Sequence, residues 1–215
     1  MLQYADLRVS AVALEYLAEL TRVLPLASGD ALNEAIEVLL AARAEGRRVY
    51  VIGNGGSAAT ASHLVCDLVK TARVPGFGPL RAFALADNTP LLTAWANDRG
   101  YACTFAEQLA GLVEQGDVVI AISASGSSPN IVAALTTAAA LGARTIGLLG
   151  FDGGAAIGLV DIAIHIPCND YGLVEDTHAA IGHALTAAIR RAVERQAAEF
   201  RLAALSPPLG ASAAD

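Results

Sequence analysis

The chain lacks a basic surface. Fourteen Lys and Arg stand against 21 Asp and Glu, a net charge of -7, so few cations are available to displace counterions from a nucleic-acid backbone and binding to nucleic acid is disfavoured. It also lacks long apolar runs. Gly, Ser or a charge interrupts each one before the roughly 20 residues that a membrane span needs. The opening MLQYADLRVSAV has no basic flank ahead of an apolar core, unlike a secretory leader. A soluble, cytoplasmic protein with no membrane partner is expected. Cysteine is scarce: Cys66, Cys103 and Cys168 are an odd number without CxxC spacing. That argues against a disulfide framework and against a thiolate zinc site, and leaves buried free thiols as the expectation.

What is present is apolar bulk. At 215 residues, 54% of them hydrophobic, the chain can bury the core of one sizeable α/β domain. Residues 5–22 and 29–45 carry apolar positions at helical spacing, with Ser28 and Asp30 as caps before the second stretch, so a helical hairpin precedes the first strand. From there the periods alternate. Strands are expected at 48–52, 80–85, 117–122, 144–149 and 162–166, and helices at 60–70, 89–96, 104–113, 130–141 and 174–201. Strands alternating with helices imply a five-stranded parallel sheet between two helical layers, a three-layer α/β/α sandwich. Residues 1–205 form one domain in this reading. The Pro, Gly, Ala and Ser tail at 206–215 has little to bury and is expected to be disordered.

Two strand-turn-helix units carry polar turns, Gly53-Asn54-Gly55-Gly56-Ser57 and Ser123-Ala124-Ser125-Gly126-Ser127-Ser128. In open parallel sheets ligands bind outside the carboxyl ends of the strands, where both turns would lie. Glycines let backbone N–H groups approach an anion, and serine hydroxyls with a following helix N-terminus add donors and positive dipole. The second loop is the stronger phosphate signal, with four serines in six residues ahead of Pro129. A dinucleotide fingerprint does not fit, because Ala58 stands where GxGxxG needs glycine.

His63 and Asp67 stand at i and i+4 on one helix face. Such a pair can chelate a divalent metal, set a carboxylate base beside an imidazole, or simply be a hydrogen-bonded surface pair. A third cluster gathers Asp170, Glu175, Asp176, His178 and His183 within 14 residues. Glu175 and His183 are about 12 Å apart along an ideal helix axis. They cannot both ligate one ion from one helical segment, so either Glu175 lies in the turn ahead of the helix or two subunits share the site. His165, in an alternating strand pattern, reads as structural. Asn97-Asp98-Arg99-Gly100 reads as a polar turn between helices, able to reach a sugar hydroxyl or to act as a cap, and Asp152-Gly153-Gly154 as a strand-end turn on the ligand side.

The runs GNGGSAATASH, ISASGSSPN and EDTHAAIGH, in that order, resemble the sugar-isomerase (SIS) domain, specifically the phosphoheptose isomerase family, over about residues 35 to 195. The resemblance implies a flavodoxin-like SIS sandwich, a homotetramer with active sites between subunits, and aldose-ketose isomerisation of sedoheptulose 7-phosphate to D-glycero-D-heptose 7-phosphate through an enediol. Carried over residue by residue, it places Asn54, Gly55, Gly56 and Ser57 in a substrate loop, Asn97 and Asp98 in a sugar-contacting turn, and Ser123, Ala124, Ser125 and Ser128 in the phosphate loop. It assigns one zinc ion per site to His63, Asp67, Glu175 and His183, with Asp67 and Glu175 also facing substrate. It implies no nucleotide cofactor. Two positions depart from the commoner pattern: Asp67 stands where many members have Glu, its carboxylate one methylene further back, and Glu175 stands where many have Gln. Ala124 likewise removes a hydroxyl often present.

Aldose-ketose isomerisation moves a proton between C1 and C2, so it needs a base at carbon and an acid at oxygen. Asp67 and His183 are the expected catalytic pair. Two alternatives stand beside this reading: an isomerase of another long-chain ketose phosphate, such as an octulose phosphate of antibiotic-sugar biosynthesis, and a non-catalytic SIS tetramer that binds a sugar phosphate or a partner.

Overall fold

The computed structural model describes residues 9–205. The expected tail at 206–215 and the start of the first helix therefore lie outside the described residues. Helices α1 (Val9–Val23) and α2 (Gly29–Ala44) form the N-terminal hairpin. The Ser28 hydroxyl accepts from the Ala31 amide and caps α2, satisfying one of the free donors of its first turn. Strands β1 (Arg48–Gly53), β2 (Arg81–Ala84), β3 (Val118–Ser123), β4 (Arg144–Leu149) and β5 (Ile162–His165) then alternate with helices. These are α3 (Gly56–Cys66), α4 (Thr89–Arg99), α5 (Thr104–Leu112), α6 (Pro129–Ala140) and α7 (Tyr171–Leu205).

All four strand pairings are parallel, in the order β2-β1-β3-β4-β5. The central strands read as continuous apolar runs because helices cover both faces. Along β1, Val49 and Val51 join a core with Ile120, Leu148, Leu39, Leu64 and Leu185 on one face. Tyr50 and Ile52 point the other way, to Val119, Phe105, Leu109, Ile131 and Leu135. Edge strand β2 alternates instead, with Arg81 and Phe83 exposed and Ala82 and Ala84 buried, as a half-covered strand must. The α/β sandwich expected from the alternation of periods is the fold observed.

Four local expectations are corrected. Asn97, Asp98 and Arg99 are the last turn of α4, not a turn between helices. Helix α3 begins at Gly56, four residues before its apolar spacing does. Helix α7 begins at Tyr171, three residues earlier than expected, because the Asp170 carboxylate accepts from the Leu173 amide at 2.9 Å and so caps it. The three thiols are free, but Cys66 is exposed and Cys103 and Cys168 are partly buried, so they are not the core residues anticipated. Among the described residues no helix is long and apolar enough to cross a membrane.

Candidate functional site

The register Gly53↔Ile122 sets the carboxyl ends of β1 and β3 side by side. The two polar loops therefore open onto one cleft of about 130 Å³. Asn54 and Ser57 line it from the first loop, Ser123, Ala124, Ser125 and Ser128 from the second, and Tyr171 and Glu175 from the start of α7. Ser128 occupies the N-cap of α6 but its side chain makes no capping hydrogen bond. Its hydroxyl thus faces the cleft together with the positive dipole of a helix start, an arrangement suited to a phosphate dianion.

The serine loop is braced from within and from outside. Ser123 Oγ accepts from the Gly126 amide at 3.1 Å, and Ser125 Oγ from the Ser127 amide at 3.3 Å. The turn after β4 packs directly against it. Gly126, at φ +61°, would place a Cβ 2.0 Å from the Gly153 carbonyl oxygen, and a Cβ on Gly154 would lie 2.5 Å from the Ser125 carbonyl oxygen. Asp152-Gly153-Gly154 is therefore a buttress of the serine loop and more than a strand-end turn. Gly126→Ala cannot be accommodated without moving backbone, since the left-handed conformation alone costs about 1–2 kcal/mol. We expect KM for a phosphosugar to rise about tenfold or more, with a lower Tm. Wild-type KM and Tm in this variant would show that the loop tolerates a side chain there.

A second, shallower cluster lies between α3 and α7. His183 Nδ1 is 3.0 Å and His63 Nε2 3.7 Å from Asp67 Oδ2, and the imidazoles meet edge to face at 4.8 Å between centroids. All three ligand atoms fall within 4.8 Å of one another. Two imidazole nitrogens and a carboxylate oxygen at such spacing fit a tetrahedral divalent ion such as zinc. The helix widens at this point: residues Asp67–Thr71 form a π turn, a feature that often marks functional positions. Thr71 Oγ1 donates to Asp67 Oδ1 at 2.9 Å, which leaves Oδ2 toward the histidines.

Glu175 does not join this trio within one protomer. It is helical, so the option that it lies in a turn ahead of the helix fails. Its carboxylate instead packs on the first loop, where a Cβ on Gly56 would lie 2.5 Å from Glu175 Oε2. Asn97 and Asp98 are exposed and line neither cluster. Asp176 accepts from the Tyr16 hydroxyl of α1 at 2.7 Å. That bond, partial burial and the carboxylates of Asp176, Asp170 and Glu175 push Tyr16 up to about 12. His178 is fully buried, and among the described residues neither ring nitrogen has a hydrogen-bond partner. His165 Nε2 meets the Phe151 carbonyl at 3.0 Å, a structural role as expected.

Residues that pattern reading passed over complete the site. The Tyr171 ring stands against Phe151 at 4.7 Å and walls the serine cleft. Asn130, buried at 2% exposure, exchanges two hydrogen bonds with Asn54, and Tyr101 adds a third. The position of Asn130, directly after SSP, is the one signal that pointed to it. A larger groove of about 540 Å³ runs along Arg48, Tyr50 and Phe83. It reaches Leu85 and Asn88 beyond the end of β2, but shares no lining residue with the serine cleft or the histidine cluster.

Comparison with known proteins agrees with this geometry. The family model for the SIS domain matches residues 14–150. The phosphoheptose isomerase of Geotalea daltonii is 46% identical over 150 residues, 70% of this chain and 78% of that one. The enzyme of that name from Paramagnetospirillum magneticum is 39% identical over 168 residues, 78% and 87% of the two chains. The solved structure of phosphoheptose isomerase from Neisseria gonorrhoeae superposes with a TM-score of 0.78 at 27% identity, covering 84% of this chain and 98% of that one.

Proposed function

The chain belongs to the SIS-domain family and, within it, to the phosphoheptose isomerases, and from that premise we infer that it interconverts sedoheptulose 7-phosphate and D-glycero-D-heptose 7-phosphate through an enediol. The observation that carries this reading is the pairing of a serine-lined, helix-capped cleft with a cluster of one carboxylate and two imidazoles on adjoining helices. The first holds the phosphate end and sets register. The second supplies the acid and base that a shift of a proton between C1 and C2 requires.

In this reading Asp67 carries the proton between C1 and C2, its second oxygen tied down by Thr71. His183, within 3.0 Å of that carboxylate, delivers or withdraws the proton at the carbonyl oxygen. His63, Asp67 and His183 would hold a divalent ion, zinc by donor type, and such an ion supplies electrophilic stabilisation of negative charge on oxygen. Glu175 belongs to the same set only across a subunit boundary. It sits beside Gly56 in its own protomer, and it and His183 are separated by about 12 Å of helix. A homotetramer with sites shared between subunits meets that requirement.

Purified enzyme should contain about one zinc per chain. Exhaustive chelation should abolish turnover of sedoheptulose 7-phosphate, and added zinc should restore it. Full activity after chelation, with metal content near zero, would remove the ion from the mechanism. Inactivity of the zinc-loaded protein toward seven-carbon ketose phosphates, with turnover of eight-carbon ones, would relocate the substrate.

A further inference from the structure

Asn54 is the first polar residue after β1, and its carboxamide is held from two other parts of the chain. Asn54 Nδ2 donates to Asn130 Oδ1 at 2.9 Å, and Asn130 Nδ2 donates to Asn54 Oδ1 at 2.8 Å. The Tyr101 hydroxyl also donates to Asn54 Oδ1, at 2.8 Å. A carboxamide has two N–H donors and an oxygen with two lone pairs. Here both lone pairs and one N–H of Asn54 are consumed. One N–H remains, on a side chain that lines the cleft.

We propose that Asn130 and Tyr101 are positioning residues that turn Asn54 into a single hydrogen-bond donor for a substrate oxygen. A carboxamide free to rotate could present either its oxygen or its nitrogen to a ligand, and would be a poor discriminator. Clamped from both sides, Asn54 offers a donor only. That suits a sugar substrate, because its hydroxyl and carbonyl oxygens accept hydrogen bonds, and a preoriented N–H meets one of them without reorganising. The clamp also joins three segments: the β1 loop, the first turn of α6 directly after the phosphate loop, and the residues following α4. Asn130 has little reason to be buried otherwise. At 2% exposure an amide is tolerated because it is paired, and its partner is this one cleft residue.

The inference rests on the isomerase reading for the identity of the substrate oxygen. Its test is a double-mutant cycle with sedoheptulose 7-phosphate. Asn130→Ala should lower kcat on the order of tenfold and Tyr101→Phe about threefold, as lost orientation of one substrate-positioning bond would. In the background of Asn54→Ala, each should change kcat by less than about twofold. Competitive inhibition by inorganic phosphate should stay unchanged throughout, since the serine loop is untouched. Additive losses, or phosphate inhibition that weakens in step with kcat, would make the two residues props of the phosphate loop and overturn the proposal. Tyr101→Phe removes only a hydroxyl from a ring that is 53% exposed, so it carries the cycle even where Asn130→Ala does not fold. A readout independent of turnover comes from the Asn54 side-chain amide in NMR. The proton it donates to Asn130 should exchange slowly in the wild type and faster in Tyr101→Phe. A protected amide in an enzyme that ignores sedoheptulose 7-phosphate would leave the clamp standing and sink the functional reading. Free exchange in an active wild type would do the reverse.

Discussion

Asp67→Asn is expected to lower kcat for sedoheptulose 7-phosphate by about two to four orders of magnitude, the usual weight of a positioned general base. The substitution is isosteric. It preserves the reach of the side chain and an oxygen for Thr71 Oγ1, which lies 2.9 Å away, but it removes the site that accepts a proton. The side chain is 14% exposed on the surface of two packed helices, so Tm should move by no more than about 2 °C. His183→Gln should produce a comparable loss. Zinc content measured beside kcat separates the two tasks given to Asp67: metal retained with turnover lost assigns the proton to the carboxylate, whereas metal and turnover lost together make it chiefly a ligand. Asp67→Glu, one methylene longer, should keep measurable turnover if the carboxylate acts by reach and charge. Near wild-type kcat in Asp67→Asn would end its role as base.

Acid should destabilise the fold through His178. Its imidazole is buried among apolar residues on the inner face of α7, and desolvation pushes its pKa down to about 4, opposed only weakly by the nearby Leu149 carbonyl. That carbonyl is already taken by the Ile166 amide at 2.8 Å. An unfolded chain binds the proton near pH 6.5. The stability associated with a neutral His178 is therefore complete above about pH 6.5. It declines as pH falls toward 4, for a total of about 3 kcal/mol. Denaturant unfolding at pH 7.5 and pH 4 checks this against His178→Phe, which cannot titrate. The wild type should lose about 3 kcal/mol more than the variant across that interval. Equal losses in both would mean that the imidazole is protonated inside the fold or reaches water.

How much of this was legible beforehand depends on whether a feature is local in the chain. Strands β1, β3 and β4 are readable because both faces are covered, which leaves near-continuous apolar runs such as VYVIG and VVIAI. The serine loop is legible because its hydroxyls and glycine follow one another in the chain. Sequence pattern puts the start of α7 too late because Asp170-Tyr171-Gly172 has the composition of a turn, while Asp170 in fact caps the helix. Asn97 and Asp98 looked like a turn for a similar reason: a polar helix end ahead of Gly100 has no apolar stripe to mark it. His178 was indistinguishable by composition from His183, yet one is wholly buried and the other has a side chain 58% exposed. The difference is which side of α7 each occupies, and that depends on what the helix packs against.

Residue type and spacing along short stretches suffice for the layered α/β architecture, for the serine loop and for which histidines and carboxylate are available for chemistry. Packing between distant segments is what brings His183 to Asp67 across two helices, turns Glu175 toward the first loop instead, and lets Asn130 grip Asn54 from 76 positions away. Hydrogen bonds and ligand sets between distant segments are set by how helices dock on the sheet, and docking is a property of the assembled core that no window of sequence contains.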